Sequence, residues 1–237
     1  MNRLPAIALV FVAVLAGCSD KAQPVADQTP SATPSATPTD AAEPPDTPEP
    51  ANAPPPPTSG PLSARNLPAP AELGEGWKVY DDPGGAEKGF LGNGTWTRKR
   101  DAHQAAYEAL PIGCAGGATG ASLPIPQYAL QGTYHNQAGG PAQLLVLRFA
   151  DETKAAAYFD GYRARLQACA KPGGSLTVTS LWSSDSASAW VRRYTDASYT
   201  EVSVRSAASV ALLATTSSPG TSWTHAAATR LGTAISR

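Results

Sequence analysis

The sequence is short of histidine, of cysteine and of net charge, and each shortage removes a class of function. Its three histidines, His103, His135 and His225, stand apart from one another, so no His-Glu-x-x-His zinc motif can form. A Gly-x-Ser-x-Gly elbow, a Ser-x-x-Lys with its companion motifs and a phosphate loop are missing as well. Gly113-Cys114-Ala115-Gly116-Gly117 is glycine-rich, but it lacks the Lys and the Ser or Thr of a nucleotide cradle and reads as a loop. Triads are assembled in space, yet no nucleophile with its base can be named. The expectation is a non-catalytic protein without metal or cofactor, with a secreted hydrolase as the least favoured alternative. The formal net charge is -1, and beyond residue 61 sixteen Lys and Arg face thirteen Asp and Glu, scattered along the chain. Neither nucleic acid nor an anionic membrane surface is implied, and Arg98-Lys99-Arg100 reads as a solvated strand end.

Long apolar runs are also scarce. Leu4 to Ala16 is apolar apart from Pro5 and follows the single positive charge of Arg3, the layout of a signal peptide. It is shorter than the roughly 20 residues a permanent membrane helix needs. The run ends in Leu15-Ala16-Gly17-Cys18, which resembles the lipobox of bacterial lipoproteins. That resemblance implies diacylation of the Cys18 thiol, cleavage before it, and anchoring by several acyl chains at about 0.8 kcal/mol per buried CH2. Residues 1–17 are then a signal peptide, and the mature protein is expected on the extracytoplasmic face of the cell membrane, its membrane partner reached through the lipid at Cys18.

Residues 18–61 hold Pro, Ala, Thr, Ser, Asp and Glu, with Val25 as the one large apolar side chain before Pro61. Such a segment buries too little surface to offset chain entropy, so a disordered tether is expected. The repeats Ser31 to Pro34 and Ser35 to Pro38, then Pro54 to Pro57, favour an extended polyproline-like spacer. A proline-rich ligand for a recognition domain is disfavoured because no basic or aromatic residue flanks the prolines.

Residues 62–237 are long enough for one domain with its own core. Export places Cys114 and Cys169 in an oxidising compartment, where an even pair forms a disulfide; a metal pair would want His or Asp nearby, and neither cysteine has them. Asp151 reads as an N-cap, and Ala155, Phe159, Tyr162, Leu166 and Cys169 recur at steps of three and four, one face of a helix closed by Pro172-Gly173-Gly174. Strands are expected at 176–182, 188–194, 199–205 and 210–215, and Pro219 opens a last helix with Trp223, Ala227, Leu231 and Ala234 on one side. Upstream, residues 128–135 and 143–149 read as a hairpin around Gly139-Gly140, and residues 101–110 as a short helix. The fold class is α+β: an antiparallel sheet with helices on one face, preceded by the disordered Pro-rich linker.

One hairpin suggests a site. With residues 195–198 as its loop, Tyr194 would pair with Tyr199, Arg192 with Glu201 and Trp190 with Ser203, while Val191 meets Val202 and Ala189 meets Val204. The small aliphatic pairs would then face the helices, leaving Trp190, Arg192, Tyr194, Tyr199 and Glu201 on the opposite face. Such a row is either an ordinary solvated sheet face or the lining of a ligand cleft.

The helix Ala155-Ala156-Ala157-Tyr158-Phe159 running to Leu166-Gln167-Ala168-Cys169, between an apolar strand and a meander with a terminal helix, is similar to the PknH-type extracellular sensor domain of actinobacterial kinases and lipoproteins. The similarity covers roughly residues 128–237. It implies an antiparallel sheet, flanking helices, a cleft for an unidentified small ligand or cell-envelope component, and no enzymatic activity. This chain has one cysteine pair where the kinase sensors have two, and no kinase segment, so a signal would have to pass to a partner. An accessory role in an envelope complex, through protein contacts, is the nearest rival.

Overall fold

The computed structural model describes residues 56–81, 94–115, 122–138, 140–171 and 173–237. The signal peptide, Cys18, nearly all of the tether, and Gly139 and Pro172 lie outside the described residues. Packing starts upstream of residue 62: Ser59 and Leu62 exchange backbone hydrogen bonds of 2.9 and 3.0 Å, and both are buried.

Eight strands form one antiparallel sheet: β1 (Lys78–Val79), β2 (Thr97–Arg100), β3 (Tyr128–His135), β4 (Pro141–Arg148), β5 (Thr177–Ser183), β6 (Ala187–Arg193), β7 (Ser198–Ser206) and β8 (Ser209–Thr215). The order is β1-β3-β4-β8-β7-β6-β5, with β2 sharing the outer edge of β3 with β1. Among the described residues four α-helices pack on it: α1 (Pro70–Leu73), α2 (Ala102–Glu108), α3 (Glu152–Ala168) and α4 (Thr221–Ile235). The α+β antiparallel architecture is as the patterning implies. In α3, Asp151 caps the first turn by accepting from the Lys154 N–H at 2.8 Å, and Ala155, Phe159, Tyr162 and Leu166 are buried. Cys169 sits at its C-cap, one turn earlier than the Pro-Gly-Gly stop.

The helices do not keep to one face. Leu144, Val146, Val202, Val204, Ala211 and Leu213 pack with Ala227 and Leu231 of α4. The alternate residues Leu147, Trp190, Val210 and Leu212 pack with Phe159 and Tyr162 of α3 and with Ala105 of α2. The physical reason stands in the sequence of β4 and β8: Leu144-Leu145-Val146-Leu147 and Val210-Ala211-Leu212-Leu213 are unbroken apolar runs, and a strand without alternation needs cover on both sides.

Cys114 and Cys169 are joined by a disulfide, their Cα atoms 4.8 Å apart. It ties the end of α3 to the segment after α2, and the Leu176 N–H donates to the Gly113 carbonyl at 3.1 Å beside it. Gly174 is required there, since a Cβ would stand 2.2 Å from the Gly113 carbonyl oxygen. The β7–β8 turn contains Ala207 at φ 45°, left-handed backbone that an L side chain resists.

Candidate functional site

The β6–β7 hairpin is paired two residues away from the expected register. Arg193 faces Ser198, Arg192 faces Tyr199, Trp190 faces Glu201 and Ala189 faces Val202, because the turn closes one step earlier with the Tyr194 N–H donating to the Ala197 carbonyl at 2.8 Å. A slip of two keeps every side chain on its expected face. That face is covered at this point, not open. Trp190 is 2 % exposed within the core under α3, and its indole N–H donates to Ser188 Oγ at 2.8 Å. Tyr194 and Tyr199 are half-buried and meet edge to face with centroids 6.1 Å apart; neither lines a cleft with Arg192 and Glu201.

Arg192 and Glu201 come together as a buried pair. Arg192 Nη2 lies 2.5 Å from Glu201 Oε2, with side chains 12 % and 3 % exposed. Tyr162, projecting from α3, donates its hydroxyl to Glu201 Oε1 at 2.7 Å. Arg192 Nη2 also donates to the Tyr162 hydroxyl oxygen and, at 3.3 Å, to the Ala109 carbonyl. Burial opposes charge on Arg192, but the Glu201 carboxylate, with Tyr162 and Tyr194, more than restores it and raises its pKa. Burial raises the Tyr162 pKa well above the usual value, so this phenol remains a donor at any ordinary pH. The three groups pin α3 to β6 and β7 through charge-assisted bonds.

Above this pair opens a cleft of about 290 Å³ between the sheet, the end of α2 and Tyr162. Leu145, Leu212 and Ala214 form its apolar part; Arg100, Glu108, Gln131 and Gln143 its polar wall. Arg100 donates from Nη2 to Glu108 Oε2 and from Nη1 to Gln131 Oε1, both at 2.5 Å. Gln104 donates to Glu108 Oε1 at 2.7 Å, and that bond, then the one from Arg100, holds the Glu108 carboxyl below its usual range. Arg192 Nε is buried with no partner among the described residues. Among the described residues no group of three or more His, Cys, Asp or Glu is placed to hold a metal, and no helix is long and apolar enough to cross a membrane.

Sequence reasoning therefore brought Arg192 and Glu201 to the site and missed the rest. Tyr162 read only as a member of the apolar stripe of α3; its hydroxyl was the available signal. Arg100 read as a solvated strand end, yet it is half-buried and bonded on two sides. Gln131 and Gln143 carried no signal, since their neighbourhood is created by the pairing of β3 with β4 and of β4 with β8.

Fold and cleft together define an α+β domain with one antiparallel sheet held between two helical layers and a polar cleft at the rim of one layer. No family model matches the chain and no curated protein matches it, so the geometry alone carries the reading of the site.

Proposed function

We propose that this chain is a lipid-anchored, extracytoplasmic, non-catalytic binding domain of PknH-like sensor type, taking a small ligand or an envelope component in the cleft over Gln143 and Ala214. What supports it most is the state of the charged groups. Both Glu201 oxygens accept hydrogen bonds, from Tyr162 and Arg192, and both Glu108 oxygens accept as well. Carboxylates tied down in this way form a rigid recognition surface, and neither is placed as a base with a nucleophile beside it. Anchoring rests on Leu15 to Cys18, and transmission of a signal on a partner.

A second reading, an accessory protein acting through protein contacts, is favoured by one observation. Tyr107 and Ile125 are 69 % and 59 % exposed and line a separate shallow hollow of about 230 Å³ beside α2. Melting curves with a small-molecule fraction of the cell envelope separate the two readings. At a ligand concentration of about 100 Kd the wild type gains about 2.7 kcal/mol, whereas Ala214→Leu, which fills the cleft floor, gains nothing. An equal gain in both proteins would place binding elsewhere; no gain in either, with an envelope protein captured by the wild type and lost in Tyr107→Ser with Ile125→Ser, would favour the accessory reading.

A further inference from the structure

We propose that the ligand of this cleft is uncharged and hydroxyl-rich, a saccharide unit; the inference rests on the cleft being the binding site. Charge argues first. The cleft holds two guanidiniums and two carboxylates, each guanidinium 2.5 Å from a carboxylate, so the wall has no surplus of either sign. An incoming carboxylate or phosphate meets Glu108 as it approaches Arg100, and an incoming ammonium meets the two guanidiniums. Either ion would be stripped of water without a counter-charge to receive it.

The free hydrogen-bonding groups point the same way. A guanidinium has five donors and an amide has two donors with one acceptor oxygen. Among the described residues the Gln143 side chain makes no hydrogen bond, and Gln131 Nε2 has no partner while its Oε1 accepts from Arg100. The Gln143 amide thus offers a donor and an acceptor side by side, and Gln131 adds an N–H donor in the same cleft. A hydroxyl is both donor and acceptor, so a ring bearing adjacent hydroxyls answers all of them, which a ligand of donors alone or acceptors alone cannot. The C–H face of such a ring is matched by Leu145, Leu212 and Ala214.

Size sets the length. About 290 Å³ lies at the small end of ligand pockets and suits one ring. Gln131 and Gln143 also border a wider hollow of about 530 Å³ beside Tyr80 and His135, into which a second unit can extend.

The test titrates the full chain, by saturation-transfer NMR and calorimetry, with maltose, cellobiose and diacetylchitobiose, and with galacturonate, glucosamine and glucose 6-phosphate as charged counterparts. At least one neutral disaccharide should bind, with every charged sugar weaker. Gln143→Ala, at an exposed position that leaves the melting temperature unchanged, should weaken binding about tenfold, and Ala214→Leu should abolish it. A charged sugar bound more tightly than every neutral one, and still blocked by Ala214→Leu, overturns the saccharide class while leaving the cleft as the site. Binding of any probe that survives both substitutions overturns the cleft reading itself. No binding by any neutral disaccharide overturns the saccharide proposal.

Discussion

Glu201→Gln keeps the shape of the side chain and removes its charge, which isolates what the buried pair contributes. Arg192 would stay in place with a side chain only 12 % exposed and no counter-ion. Breaking a buried pair by removing one partner costs about 3–5 kcal/mol, and the partial exposure of Arg192 puts the expected loss near the lower end, about 3 kcal/mol. Weakening of the Tyr162 hydroxyl bond is contained in that figure, since a bond to a charged acceptor exceeds a neutral one by only about 1 kcal/mol. Arg192→Met should lose a similar amount, because Glu201 would then be left with Tyr162 as its only donor among the described residues. The double substitution Arg192→Met with Glu201→Met removes both charges beside apolar Leu212 and should be more stable than either single variant. Urea unfolding reads these differences: with a slope of about 2 kcal/mol per molar, a 3 kcal/mol loss moves the midpoint by about 1.5 M. Single variants within about 1 kcal/mol of wild type, or a double variant equal to the sum of the singles, would refute a desolvated and coupled pair.

Replacing Cys114 and Cys169 together by Ser should lower stability by about 4 kcal/mol, the chain-entropy value for a loop closed across 55 residues; two titratable thiols in the unreduced, denatured protein would show that the bridge does not form. Ala207→Gly should leave stability unchanged or raise it by up to about 1 kcal/mol, because glycine relieves the left-handed backbone at φ 45° while losing more chain entropy, and Ala207→Val should lower the melting temperature. Burial raises the pKa of Tyr134, Tyr158 and Tyr162 above the ordinary 10.0, so their contribution is complete below pH 10 and is lost as pH rises. Above pH 10 the unfolded chain ionises first, and stability should fall by about 1.4 kcal/mol per pH unit for each of these tyrosines, read from urea midpoints at pH 9, 10 and 11. Cys18→Ala should abolish metabolic labelling by a fatty-acid analogue, and retained label would end the lipobox reading.

What the sequence makes legible is what local periodicity encodes. The stripe of α3 is visible because residues three and four apart share a face, and Ala155, Phe159, Tyr162 and Leu166 are buried together. The β6–β7 faces are visible because alternation survives a register slip of two, although the register itself depends on where the turn closes, between Tyr194 and Ala197. Strand β1 is two residues long, too short to show any period. The second helical layer was written in the unbroken run Leu144 to Leu147, which alternation alone does not interpret. A hairpin taken by itself leaves Trp190 on an open face, since it has no α3 above it; only the long-range packing supplies that cover.

The position of the cleft follows from one row of side chains across the sheet. Pairing aligns Thr133 with Gln143, Gln143 with Ala214, Ala214 with Glu201 and Glu201 with Trp190. At one end of this row Trp190 lies beneath α3 and is core; at the other, Thr133 and Gln143 carry polar side chains outside that cover. Ala214 stands between them with nothing beyond a methyl, so the floor drops where the helical layer ends, and a hollow forms without any strand being interrupted. Glu201 sits at this border, and a buried carboxylate there needs partners from both sides: Tyr162 from the helix and Arg192 from the next strand. A buried ion pair is poor value as pure stabilisation, since apolar residues of the same volume often do as well. Its placement at the one step between packed core and open floor holds the Arg192 guanidinium at the cleft wall and joins α3 to β6 and β7 where the apolar packing ends.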